Sequence, residues 1–217
     1  MPLEPQITAL IARAQDPLKI PEQPRRERIE LYAQGLLYRI MEVRLTYRFI
    51  HELGSKYPQP EDRDKIHLYS DSFWAFARSS FDILGQLLNQ TQNLGINESG
   101  CHFRTVVDQL KATNPADPLT LSLDAIYNSP EYQDLNSYRN CSLHRRQVYL
   151  EGRKTEKDYG TSGYSTGAFL VYEWILCDNP LVVTPTTIQG RRLVLYCNQI
   201  LSFLQAQIEN IIITLIP

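Results

Sequence analysis

At 217 residues the chain is long enough to close one ordinary domain around its own apolar core, without disulfides or metal to staple it. Hydrophobic residues at 43% and charged residues at 21% exclude a disordered or collagen-like chain. With 22 Lys and Arg against 24 Asp and Glu, the net charge of -2 excludes a general attraction to polyanions, so any nucleic-acid contact has to come from a local patch.

The first 24 residues carry Pro2, Pro5, Pro17, Pro21 and Pro24, which break any long helix. Residues 1–24 therefore read as an arm packed on or draped over a domain spanning 25–217, and no chemistry is assigned to them. Glu4 stands where a secretory signal needs basic residues, and no apolar run follows it. The greasiest stretch, Ile208 to Pro217, contains Glu209 and Asn210 and is too short to span a bilayer. The expectation is a cytoplasmic protein with no membrane partner.

From Arg25 to Leu53 there is no proline, and Ile29, Tyr32, Leu36, Ile40, Val43, Tyr47 and Ile50 recur every three or four residues, which predicts a long amphipathic helix. Gly54, Pro58 and Pro60 end it, and Glu61 and Asp62 suit the positive end of the next helix. That second helix is predicted over 62–94, with Tyr69, Phe73, Phe76, Ala77, Phe81, Leu84 and Leu88 as its buried stripe and Gly95 as its stop. Two long helices joined by a short turn should pack antiparallel. Shorter helices are predicted over 103–112 and within 119–126, and Ser129-Pro130-Glu131 starts another that leads into Tyr138 to His144.

Between Arg146 and Thr187 the pattern changes. Gln147 to Leu150 and Ala168 to Ile175 are β-branched or aromatic runs, which predict a β-hairpin insertion with its tip in 154–167. A last helix is predicted over 187–212, carrying Leu193, Tyr196, Ile200, Phe203, Leu204 and Ile208. The fold class is thus mainly α: an antiparallel helical bundle with a small β-hairpin insertion before the last helix.

Cys101, Cys141, Cys177 and Cys197 form no close pair, which argues against a disulfide framework and points to buried small hydrophobes. Cys101-His102 and Cys141 with His144 lack the tight paired spacing of a structural zinc site, so no metal or other cofactor is expected.

The segment with chemical content is Arg139-Asn140-x-x-x-His144. On a regular helix Asn140 and His144 lie one turn apart on the same face, whereas Arg139 is displaced by roughly 140° from His144 at 3.6 residues per turn. The three converge only if the arginine curls round a helix end or faces a partner subunit. Histidine titrates near neutral pH, and arginine offers a permanent fork of donors for phosphate. Against this stands a solvated or helix-capping histidine near a helix end.

The string Ser137-Tyr138-Arg139-Asn140-Cys141-Ser142-Leu143-His144-Arg145 resembles the signature of the HEPN superfamily. Phe76-Ala77-Arg78-Ser79-Ser80-Phe81-Asp82-Ile83-Leu84 is similar to the aromatic, arginine and aspartate pattern of several bacterial HEPN groups. The resemblance spans roughly Arg25 to Arg145 plus the last helix; the arm and the insertion over 146–187 depart from it. It implies a HEPN-like bundle and a metal-independent endoribonuclease in which a 2′-hydroxyl attacks the neighbouring phosphate. His144 would then be general acid/base, Arg139 the phosphate clamp and Asn140 the orienting amide.

Arg78 and Asp82, four apart on one helix face, read either as an ion pair or, for Asp82, as a support for His144 or Arg139. Arg145 and Arg146 either track an RNA backbone or form a solvated helix end that favours the C-terminal dipole, and Arg153, Lys154 and Lys157 of the insertion are further candidates for RNA contact. Tyr138 either stacks on a base or packs in the core. The resemblance also implies an RNA partner, tRNA or mRNA, a homodimer, and the setting of a toxin with a nucleotidyltransferase-type antitoxin or of a defence system. The alternative from another class is a non-catalytic HEPN-like interaction or ligand-binding module.

Overall fold

The computed structural model describes residues 3–56, 59–144, 150–158, 168–181 and 190–216. Two 32-residue helices, α2 (Gln23–Gly54) and α3 (Pro60–Thr91), form the antiparallel hairpin on which everything else is laid, each about 48 Å long at 1.5 Å per residue. Pro24 and Pro60 both sit in first turns, where a missing N–H costs nothing, so each helix begins two residues earlier than its periodicity alone predicts. A capping box between Gln59 and Asp62 starts α3. It ends at Thr91, three residues before the predicted last residue 94, because Asn93 takes φ 54° ahead of Gly95 at φ 71°.

The proline-rich arm contains a helix that the prolines concealed. In α1 (Leu3–Ala14), Pro5 falls in the first turn, and Leu3, Ile7, Leu10 and Ala14 are buried against α2 and α7 (Leu193–Thr214). Gln6 donates to Glu209 at 3.0 Å, and Arg13 donates to the Leu215 carbonyl at 3.3 Å. The arm is part of the core packing.

After α3 come α4 (Phe103–Thr113), α5 (Pro118–Asn128) and α6 (Pro130–His144). Asp117 caps α5 through the Thr120 N–H at 3.1 Å. The insertion forms an antiparallel sheet of order β1-β2-β3: β1 (Leu150–Asp158), β2 (Ala168–Cys177) and β3 (Gly190–Arg192). Two expectations are corrected here. Residues 154–158, placed in the hairpin tip, continue strand β1, because they pair with 168–172. Residues 190–192, placed in the last helix, form β3, and α7 starts only at Leu193. Gly190 permits that pairing: a Cβ there would stand 2.0 Å from Ile175 Cγ2 and 2.8 Å from the Leu176 carbonyl oxygen. Gln147, Val148 and Tyr149 lie outside the described residues.

The core is one continuous cluster around Phe73, Trp74, Phe81, Phe103, Tyr132 and Tyr138, each at most 1% exposed. Leu150, Trp174 and Leu176 seat the sheet on it. Each fully buried aliphatic or aromatic side chain contributes roughly 1.5–3 kcal/mol, so the helical frame is rigid where α6 lies on α3.

Candidate functional site

α6 packs antiparallel on α3, and four contacts fix its register. Phe81 meets Tyr132 edge-on at 5.1 Å, Arg78 donates from Nε to Asn136 at 3.2 Å, Trp74 stacks on Tyr138 at 4.8 Å, and Asp71 faces Ser142. Residue numbers on the two helices thus run in opposite directions from the middle of α3 to the C-terminal turn of α6, where the motif lies. Tyr132, Leu135, Tyr138 and Cys141 are buried, at intervals of three. Arg139 and Asn140, between two of these anchors, are left half-exposed.

Arg139 donates from Nη1 to Oδ1 of the next residue, Asn140, at 3.0 Å. The first two motif residues therefore meet despite their different helical directions. The planar donor fork of a half-exposed guanidinium suits a phosphate. His144 closes α6; its side chain, and all of Arg145 and Arg146, lie outside the described residues.

Tyr138 is fully buried. Its ring lies on Trp74, its hydroxyl donates to the Cys177 carbonyl at the end of β2, and burial pushes its pKa up. Of the two readings of Tyr138, this is the core-packing one: the ring is buried against Trp74, and it fixes α6 on α3. Arg78 and Asp82 make the expected ion pair, Arg78 Nη1 lying 2.8 Å from Asp82 Oδ1. Arg78 also covers the Tyr132 ring at 5.1 Å. Asp82 accepts the Phe103 N–H at 3.1 Å and so caps α4. It stands at the level of Tyr132, about 10 Å along α6 from Arg139.

The carboxyl that does reach the motif is Asp71, which the sequence reading passed over. Burial raises its pKa, and the Ser142 hydroxyl pulls the other way. Ser142 is close enough for that effect, yet neither Asp71 Oδ1 nor Ser142 Oγ completes a hydrogen bond. A signal existed: Asp71 precedes Asp82 by eleven residues, three turns, and so shares its helix face. A second missed cluster ties α6 to the sheet and to α7. Asp134 accepts from Arg191 and, at 2.8 Å, from the Tyr196 hydroxyl, while Arg191 lies over the Tyr196 ring at 4.4 Å and 3.5 Å from Asp178. Because Asp134, Asp178 and Glu173 already engage Arg191 and Arg192, the cavity of about 400 Å³ beside them carries no surplus positive charge for an anion.

The four cysteines are free, three of them buried, as their spacing predicted. No described helix is long and apolar enough to cross a membrane. The family model described as Cthe2314-like HEPN matches residues 28–166, and the chain belongs to this HEPN family, whose fold is helical. No curated protein and no solved structure matches it.

Proposed function

We propose that the protein is a metal-independent endoribonuclease of HEPN type, with Arg139, Asn140 and His144 as its catalytic residues. The observation that carries this reading is the Arg139–Asn140 hydrogen bond at the half-exposed end of α6, between side chains locked into the core on either side. In the reaction the 2′-oxygen of a ribose attacks the adjacent phosphorus, the bond from phosphorus to the 5′-oxygen breaks, and a 2′,3′-cyclic phosphate remains. His144 takes the 2′-hydroxyl proton and a protonated imidazole returns one to the leaving oxygen. Arg139 grips the phosphate as negative charge builds, and Asn140 holds the guanidinium in register. Arg78 supports α6 through Asn136, Asp82 supports Arg78, and Arg145 and Arg146 track the RNA backbone.

One histidine serves both proton transfers more easily when a second copy stands opposite, so the active form is a homodimer with the motif at its two-fold axis. The cellular setting that fits is a cytoplasmic toxin or defence nuclease acting on tRNA or mRNA and restrained by a nucleotidyltransferase-type antitoxin. The test is incubation of the pure protein with total RNA or tRNA in EDTA, followed by end analysis. Cleavage that leaves cyclic phosphate ends and is lost in Arg139→Lys is the expected result. Intact RNA, or cleavage indifferent to that variant, makes the chain a non-catalytic HEPN module.

A further inference from the structure

Two buried polar atoms meet at the last turn of α6 in an incomplete contact. Asp71 Oδ1 on α3 and Ser142 Oγ on α6 are both shut off from solvent, and neither completes a hydrogen bond. A buried polar group without a partner weakens a fold, and an apolar pair of the same size would pack there at lower cost. One turn earlier on α3, His67 is 5% exposed and its Nδ1 is likewise unpartnered. Further along the same two helices the Trp74–Tyr138 stack and the Arg78–Asn136 hydrogen bond fix the register. Buried polar atoms without a hydrogen bond also occur further along these helices, at Trp74 Nε1, Gln86 Oε1 and the Tyr132 hydroxyl; Asp71 with Ser142 is the carboxyl and hydroxyl that meet at the level of the motif. Ser142 lies between Asn140 and His144 in the chain, so whatever holds its hydroxyl holds the turn that carries them.

We propose that Asp71 is a positioning residue of the cleavage site, whose carboxylate accepts the Ser142 hydroxyl when RNA is bound and so holds the last turn of α6 in its working geometry. The inference rests on the ribonuclease reading and adds to it a carboxylate on a different helix from the motif. Asp71 acts through Ser142 and does not touch substrate. On α3, His67 stands one turn before Asp71 and Arg78 about two turns after it, where Arg78 is engaged by Asp82 and Asn136. In the free protein the Ser142 hydroxyl already acts on the carboxyl without completing a well-aligned bond; substrate binding supplies the tightening, as it often does for catalytic hydrogen bonds.

The test compares the wild-type protein with Asp71→Asn, Ser142→Ala and the double variant in RNA cleavage under EDTA, alongside thermal melts. A displacement of about 1 Å in a catalytic group costs on the order of 10²-fold, so each single variant should lower kcat by roughly 10- to 100-fold. KM should stay unchanged, the double variant should be no slower than the worse single one, and Asp71→Asn should melt no lower than wild type. Wild-type cleavage by either single variant overturns the inference and leaves the ribonuclease reading standing. So does a loss that appears equally in kcat, KM and melting temperature, or effects of the two variants that multiply. Absence of cleavage by the wild-type protein overturns the ribonuclease reading itself, and the role of Asp71 in cleavage with it.

Discussion

Tyr138 lies almost flat on Trp74, ring centroids 4.8 Å apart and planes 21° from parallel, and this stack decides which way Arg139 faces. With Tyr138 held on α3 and its hydroxyl held by the Cys177 carbonyl, the next residue along the helix is turned towards the rim of the bundle. Truncation tests the arrangement. Tyr138→Ala should lose about 3–5 kcal/mol in urea unfolding, the usual range for emptying a large aromatic site. Tyr138→Phe removes only the hydroxyl bond and should lose about 1 kcal/mol. Equal losses would mean that the hydroxyl, not the stack, anchors α6.

For His144 and Arg139 the expected signature is lost activity with retained stability. His144→Ala should cut the cleavage rate by about 10²- to 10⁴-fold, the range for a positioned acid or base. Arg139→Lys should fail as well, because a point charge does not reproduce the planar fork. Melting temperatures of both should equal that of wild type, and EDTA should leave the wild-type rate unchanged. A His144→Ala protein that cleaves normally, or that unfolds, removes histidine from the chemistry.

Asp71 also makes a prediction about stability against pH. Burial raises its folded-state pKa above the unfolded value of about 3.9, so the folded protein binds the proton more tightly than the unfolded chain does. Its contribution is most favourable below pH 4 and declines as pH rises through the raised pKa. His67 works in the opposite sense: burial lowers its pKa, so acid pH strains the fold as it charges. The difference between Asp71→Asn and wild type isolates the first effect. That variant should gain relative stability as pH rises from 4 to 7 in chemical denaturation, and a difference that shrinks with pH would place Asp71 in a favourable ion pair instead.

Gly190→Ala should disturb the strand that delivers Arg191 to Asp134. Its Cβ would overlap Ile175 and the Leu176 carbonyl, so about 1–3 kcal/mol should be lost through overpacking. Hydrogen exchange should quicken in β2 and β3 first, and a variant as stable as wild type would show that β3 pairing contributes little.

Light scattering checks the dimer. At tens of micromolar the protein should run at twice its 25.1 kDa mass, and cross-links placed near Arg139 should join the two copies. A monomer, or a dimer joined only through surfaces remote from α6, would require one subunit to perform both proton transfers.

Period and punctuation alone determined the helical frame. Apolar residues at three- and four-residue intervals, stopped by Gly54 and Gly95, located α2 and α3 to within a few residues, and Ser129-Pro130-Glu131 located the start of α6, because stripes and start signals are local patterns. The motif Arg139-Asn140-x-x-x-His144 was legible for the same reason, being contiguous. Helix α1 was hidden by its prolines: sequence marks Pro5 as a breaker, and only the packing of Leu3, Ile7 and Leu10 on α2 and α7 shows it tolerated in a first turn. Strand β3 was hidden because three residues carry no period, and its existence depends on β2 lying beside it. Between Asp71 and Asp82 the sequence had no means of choosing, since three helical turns return both to one face of α3. The register of α6 chose, set by Tyr132 on Phe81 and Tyr138 on Trp74: it left Asp82 with Arg78 and the Phe103 N–H and brought Asp71 to Ser142. Such a register is a sum of packing contacts between residues some sixty positions apart, and no local pattern in the chain encodes it.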